Sequence, residues 1–136
     1  MECVFCKIVA GEMPSHKIYE DDKVVAFLDI NPVNPGHTLI APKVHYDNVL
    51  DTPDDILQHM IVVIKKITPA ILKGVGSESC NIEINNGAIA GQIIMHNHWH
   101  IMPRFKDDGH RLLFEGEPYK EGEAEKIAGK IKENIT

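Results

Sequence analysis

Met95-His96-Asn97-His98-Trp99-His100-Ile101-Met102-Pro103-Arg104 places three of the chain's eight histidines at every second position. That period belongs to a strand. Side chains at i, i+2 and i+4 project from one face, so His96, His98 and His100 form a row while Asn97, Trp99 and Ile101 turn the other way. A rise of roughly 3.3 Å per residue sets the outer two backbones about 13 Å apart, too far for the whole row to ligate one ordinary metal ion. Neutral imidazoles carry nucleophilic nitrogens and, when protonated, donate hydrogen bonds to anionic oxygens. Such a row suits a phosphate ester. A solvent-facing histidine tract is the bland alternative, and the interior position with Trp99 and Ile101 interleaved weighs against it.

Working outward, Cys80 to Asn85 alternates in character and reads as a strand, joined to the histidine strand by a short glycine-containing loop. Lys17 to Glu20 and Val24 to Asp29 flank Asp21-Asp22-Lys23 as a hairpin. Thr38 to Ala41 reads as a further strand, after the turn Asn31-Pro32-Val33-Asn34-Pro35-Gly36. The main helix is signalled by Thr52 as N-cap, Pro53 at the first helical position and Asp54-Asp55 in the first turn. Ile56, Met60, Val63, Ile64, Ile67 and Ile71 recur at steps of three and four and give it one apolar stripe. Pro69 is expected to kink it or end it early, with Gly74 and Gly76 releasing the chain. Beyond about Lys106 only Ala124, Ile127, Ala128 and Ile131 suggest a short amphipathic helix. The expectation is a single α+β domain over 1–136, a mostly antiparallel sheet of about five strands with one main and one short C-terminal helix. Its motif-bearing core is 3–106 and its tail 107–136.

Size and composition fit that picture. The chain has 136 residues, enough for one core without staples. A formal net charge of −6 disfavours broad binding to nucleic acid, which needs clustered Lys and Arg. Small phosphorylated ligands need only a local pocket of donors. No run approaches the ~20 apolar residues of a membrane span, and residues 1–10 lack a basic, apolar leader pattern. Three cysteines are odd in number and too few for a disulfide framework. A cytoplasmic setting is expected, with Cys80 a small core residue.

His96-Asn97-His98-Trp99-His100-Ile101-Met102 resembles the His-φ-His-φ-His-φ-φ signature of the histidine triad (HIT) family, in which φ is apolar. Asp29-Ile30-Asn31-Pro32, Pro35-Gly36-His37, Pro42-Lys43-Val44-His45, Asn85-Asn86-Gly87 and Gly91-Gln92 follow the family's order, so the resemblance spans Cys3 to about Arg104. Within the family the chain is most similar to the small Hint-type nucleotide hydrolases. Two positions depart from the pattern: Asn97 is polar where an apolar residue is usual, and Ile93 stands where a Ser or Thr often follows Gly-Gln.

The resemblance implies a homodimer and a two-step transfer from purine nucleoside phosphoramidates or dinucleoside polyphosphates. His98 would attack the α-phosphorus and form a labile nucleotidyl-histidine. His100 would donate to a non-bridging oxygen, and Gln92 would hydrogen-bond near the transferred or leaving group. Gly91 lets backbone approach the phosphate, with Ile93 beside it, and Asn85 would orient the substrate, although a turn glycine and a capping Asn are their ordinary readings. Asp29 matches the ribose-binding acid, and Phe5, Ile8, Phe27 and Ile30 would form the purine slot. Without the family these four read as core.

Cys3-Val4-Phe5-Cys6 has metal-ligand spacing but is half a site, equally consistent with redox-active or inert thiols. The resemblance pairs it with His45 and His96 in a Cys₂His₂ set, a structural zinc with no open position. His16, His37, His59 and His110 are left as surface or structural residues, His37 being the one nearest the expected site. A nucleotide-binding regulator with little turnover is the competing reading, prompted by Ile93 and Asn97. A zinc hydrolase using metal-activated water is disfavoured, since four ligands leave no open position.

Overall fold

The computed structural model describes residues 3–111 and 114–136. Element order is α1 (Val4–Val9), β1 (Lys17–Glu20), β2 (Val24–Leu28), β3 (Thr38–Pro42), α2 (Asp54–Val75), β4 (Ser79–Ile84), β5 (Trp99–Arg104) and α3 (Glu123–Glu133). The strands form one sheet in the order β1-β2-β3-β5-β4, and every neighbouring pair is antiparallel. The α+β expectation stands, the bounds of β1 to β4 agree within a residue, β5 begins three residues after His96, and α1 is an addition to it.

Strand alternation gives the sheet two buried faces. Val24, Ala26, Ile40, Trp99 and Ile101 meet the α2 stripe of Met60, Val63, Ile64, Ile67 and Ile71. Val25, Phe27, Leu39 and Ala41 pack instead on Cys3, Phe5 and Ile8 of the N-terminal segment. Leu39 and Glu83 both pair with His100, so the N-terminal helix covers the face from which His100 projects.

Three local expectations are corrected. Only His100 of the histidine row lies within the ladder; His96 and His98 precede the strand. Thr52 does not cap α2. Pro53 holds the cap position, and Thr52 closes the preceding 3-10 turn at Val49–Asp51. Pro69 neither ends nor shortens α2, which runs on to Val75. Pro69 sits on the exposed side, where water can solvate the carbonyl that its missing N–H leaves unpaired. Gly76, at φ +73°, then closes the helix in the left-handed conformation.

Candidate active site

A cleft of about 450 Å³ opens beside α1 and the ends of β2 and β5, at the His100 face of the sheet. It collects Phe5, Ile8, Phe27, Asp29, Ile30, Asn85, Gly91, Ile93, His98 and His100 from five separate stretches of sequence. Leu39, Met13 and Asn31, which the sequence did not single out as site residues, join them. The inner wall is aromatic and aliphatic: Phe5 and Phe27 meet edge to face at 5.4 Å, and the Phe5 ring stands 4.9 Å from that of His98. Ile30 and Ile93 are 83% and 88% exposed, so they form the rim and not the floor. Among the described residues no lysine or arginine lines the cleft.

Each histidine of the row has its tautomer set by what its other nitrogen touches. His96 Nε2–H donates to Pro42 O at 2.8 Å, which leaves the Nδ1 lone pair facing Cys3 and Cys6. His98 Nδ1–H donates to His96 O at 2.7 Å, which leaves its Nε2 with a free lone pair. His100 takes its proton pattern from His37. The Val33 N–H donates to His37 Nδ1 at 3.0 Å. His37 Nε2–H therefore donates to His100 Nδ1 at 2.9 Å, and His100 Nε2 must carry a proton. Burial holds the pKa of His37, His98 and His100 below the ordinary histidine value, and for His100 the neighbouring His37 acts the same way. Burial thus favours the neutral form of all three. The row thus offers a lone pair on His98 beside an N–H donor on His100, with ring centroids 5.1 Å apart.

His37 is no ordinary surface residue: it is 4% exposed and also stands 3.7 Å from Asp29. Period two from Leu39, the partner of His100, would have put His37 on the site face. Asp29, His37 and His100 also bring three donor atoms within 4.8 Å of one another. With its Nδ1 filled by the Val33 amide hydrogen, however, neutral His37 has no Nε2 lone pair for a metal. Of the other three, His59 pairs with Asp21 at 2.7 Å, and His110 Nε2–H donates to Val33 O at 3.1 Å.

Gln92 is not brought into the cleft. It is 3% exposed, its Nε2 donates to Asp47 O and Ile94 O, and its Oε1 accepts from Gly87 N–H. It shapes the loop that carries Gly91, whose Cα region lies against the Asn85 side chain. Asn97 is buried on the opposite face, where its Nδ2 donates to Thr52 Oγ1 at 2.9 Å and Thr52 donates onward to Asn48 O. Its polarity serves the loop before α2 and does not touch the cleft.

Behind the row, Cys3, Cys6, His45 and His96 place four ligand atoms within 4.8 Å of one another. Cys3 Sγ is 3.4 Å and Cys6 Sγ 3.5 Å from His96 Nδ1, and Cys6 Sγ is 3.5 Å from His45 Nδ1. A tetrahedral zinc with Zn–S about 2.3 Å and Zn–N about 2.0 Å requires S···N edges of about 3.5 Å, so the set fits the ion. Asp47 accepts from His45 Nε2 at 3.1 Å, the carboxylate support that metal-binding imidazoles commonly have. Burial disfavours both thiolates. At Cys3 the Cys6 N–H and other nearby donors outweigh it and lower the pKa, whereas Cys6 is pushed up to about 11 by burial and by the adjacent Cys3. A dication is the natural counter-charge for two such sulfurs.

The HIT domain model matches residues 10–107. The adenylylsulfatase HINT3 of Arabidopsis thaliana is 49% identical over 107 residues, 79% of this chain and 54% of that longer protein. The adenosine 5′-monophosphoramidase HNT1 of Candida albicans is 38% identical over 137 residues, 98% of this chain and 88% of its own. Among solved structures, a member of the HIT family from Bacillus subtilis superposes with a TM-score of 0.91 at 38% identity, covering 100% of this chain and 99% of that one. A zinc-bound histidine triad family protein from Mycobacterium smegmatis superposes with a TM-score of 0.76 at 36% identity, covering 98% and 95%.

Proposed function

The chain belongs to the HIT domain family, and on that premise we propose that it is a nucleotide hydrolase cleaving at the α-phosphate through a covalent nucleotidyl-His98. One observation carries the reading: His98 Nε2 keeps its lone pair inside the cleft while the neighbouring His100 carries an N–H. Phe5, Ile8 and Phe27 wall the slot for a purine, and Asp29 at the end of β2 accepts from the ribose hydroxyls. His98 Nε2 attacks phosphorus as the bond to the leaving group breaks, a departing amine takes its proton from solvent, and His100 donates to a non-bridging oxygen. Water then attacks the same phosphorus, the P–N bond breaks, and nucleoside monophosphate leaves. Gln92 acts by holding the Gly91 loop and not by contact with the transferred group.

Phosphoramidates suit the cleft better than polyphosphates. A polyphosphate brings several negative charges to a site whose lining offers Asp29 and no cation among the described residues. A phosphoramidate brings about one. The relatives named adenylylsulfatase and adenosine 5′-monophosphoramidase point the same way. A structural zinc on Cys3, Cys6, His45 and His96 is part of the proposal, supported by the 3.4–3.5 Å edges and by the zinc-bound relative. It would tie the N-terminal helix to the chain entering the catalytic strand and leaves the chemistry to the imidazoles.

Adenosine 5′-phosphoramidate, mixed separately with the protein and with His98→Ala, tests the reading by AMP release, with circular dichroism checking the variant's fold. Release by the parent alone supports the hydrolase. Tight nucleotide binding without release by either would favour a regulator that does not turn over.

A further inference from the structure

The loop that fixes His37 is itself clamped from the far side by the segment following β5. Asp108 accepts five N–H groups: Arg104 Nε and Nη2, the main chains of Phe105 and His110, and Asn34 Nδ2. Asn34 Nδ2 also reaches Pro103 O at 3.0 Å, and His110 Nε2–H holds Val33 O at 3.1 Å. Val33 and Asn34 are therefore tied to the strand end through Pro103 O and to the following loop through the side chains of Asp108 and His110. The same two residues grip His37: Val33 N–H on its Nδ1, and Asn34 O on its main-chain N–H at 3.1 Å.

We propose that Asn34, Asp108 and His110 are positioning residues for His100, acting through Val33 and His37 to keep His100 as the Nε2–H tautomer that faces the phosphate. A neutral imidazole has two tautomers of similar energy in water, so an oriented donor requires an outside constraint. The Val33 amide supplies it, since a main-chain N–H can only donate. Its aim depends on a proline-rich turn in which Val33 is itself exposed and held by His110. With those ties cut, the turn can swing, His37 can take a proton on Nδ1, and His100 loses its fixed polarity. No residue of the clamp lines the cleft, so their effect on chemistry is carried wholly by orientation.

The test uses the full chain carrying Asn34→Ala and His110→Ala together, with long-range ¹H–¹⁵N correlation spectra reporting ring tautomers in the free protein. The expected parent spectrum has His37 and His100 as Nε2–H and His98 as Nδ1–H. In the double variant His37 and His100 become tautomer mixtures while His98 is unchanged. AMP release, which rests on the hydrolase reading, falls about five-fold in kcat with KM within about two-fold. Restoring a donor with His110→Gln in place of the alanine recovers most of the parent tautomer pattern and of kcat. Unchanged His37 and His100 tautomers in the double variant would overturn the proposal, as would a parent whose His100 is Nδ1–H. A parent that releases no AMP counts against the hydrolase alone, because the spectra need no substrate.

Discussion

His98 Nδ1 lies 2.7 Å from the main-chain oxygen of His96, two residues earlier in the stretch leading into β5. The proposed nucleophile is therefore oriented by its own backbone and needs no separate acid to hold it. Replacing the ring removes the lone pair and leaves the rest of the cleft intact. His98→Ala is expected to lose AMP release by about 10⁴-fold or more. Intact-mass measurement after alkaline quenching should show one nucleotidyl adduct on the parent and none on the variant.

Burial sets the pH profile. The pKa of His98 lies below the ordinary 6.5, with desolvation the largest cause and the bond to His96 O opposing it. The proposed nucleophile thus stays neutral into mild acid, and the acid limb of kcat/KM should fall below pH 6.5. Stability follows the same groups. An unfolded chain protonates these histidines at about 6.5, before the folded chain does, so folding free energy declines as pH drops below that value, by up to about 1.4 kcal/mol per unit for each of His37, His98 and His100. Thermal midpoints at pH 7.5 and 5.5 check this, and a flat or rising midpoint toward acid would contradict it.

The row and the sheet were legible because a period of two depends on local chain geometry alone. What escaped depended on tertiary surroundings. Pro69 reads as a helix stop until its exposed side is known. Val4–Val9 is a helix of six residues, too short for a period to declare itself, and it is anchored by the Cys3 cap on the Cys6 N–H. Gln92 carried the right residue type for a phosphate contact, but three loop backbones compete for its amide and take it. Asn97, an anomaly in the strand pattern, has its partner 45 positions away in Thr52. His37 could have been placed by strand period, yet its tautomer depends on Val33, which no spacing rule reaches.

Removal of the proposed zinc should separate folding from chemistry. Parent protein is expected to carry one zinc per chain by elemental analysis, and Cys3→Ala/Cys6→Ala none. The loss of about 2 kcal/mol would lower the thermal midpoint by roughly 8 °C. Stripped protein that remains folded should still release AMP, since His98 and His100 are not in the ligand set. Loss of release with the fold intact would restore metal-activated water as the chemistry.

Gly36 precedes His37 at φ +89°, and a Cβ built there would lie 2.8 Å from Val75 Cγ1 and 3.1 Å from Pro103 Cγ. Gly36→Ala therefore meets both a backbone conformation that L residues resist and two neighbours packed from α2 and β5. A destabilisation of about 2 kcal/mol is expected, read by urea unfolding. AMP release should fall as well, because the strain lies next to the residue that polarises His100.

The outer edge of β4 and the exposed side of α2 form one apolar face: Ile82, Ile61 and Val62 are 47%, 46% and 63% exposed, with Pro69 beside them. β4 is the last strand of the sheet, so among the described residues its outward N–H and C=O groups have no partner strand. An unpaired edge next to aliphatic side chains invites a second strand, and a two-fold pairing of like edges closes without leaving a new one at that seam. We expect a homodimer through this face, with a mass by light scattering of twice 15.2 kDa. Val62→Glu/Ile82→Lys should shift it to 15.2 kDa while circular dichroism stays unchanged. A parent that scatters as a single chain at micromolar concentration would mean that the face is covered by something other than a second copy.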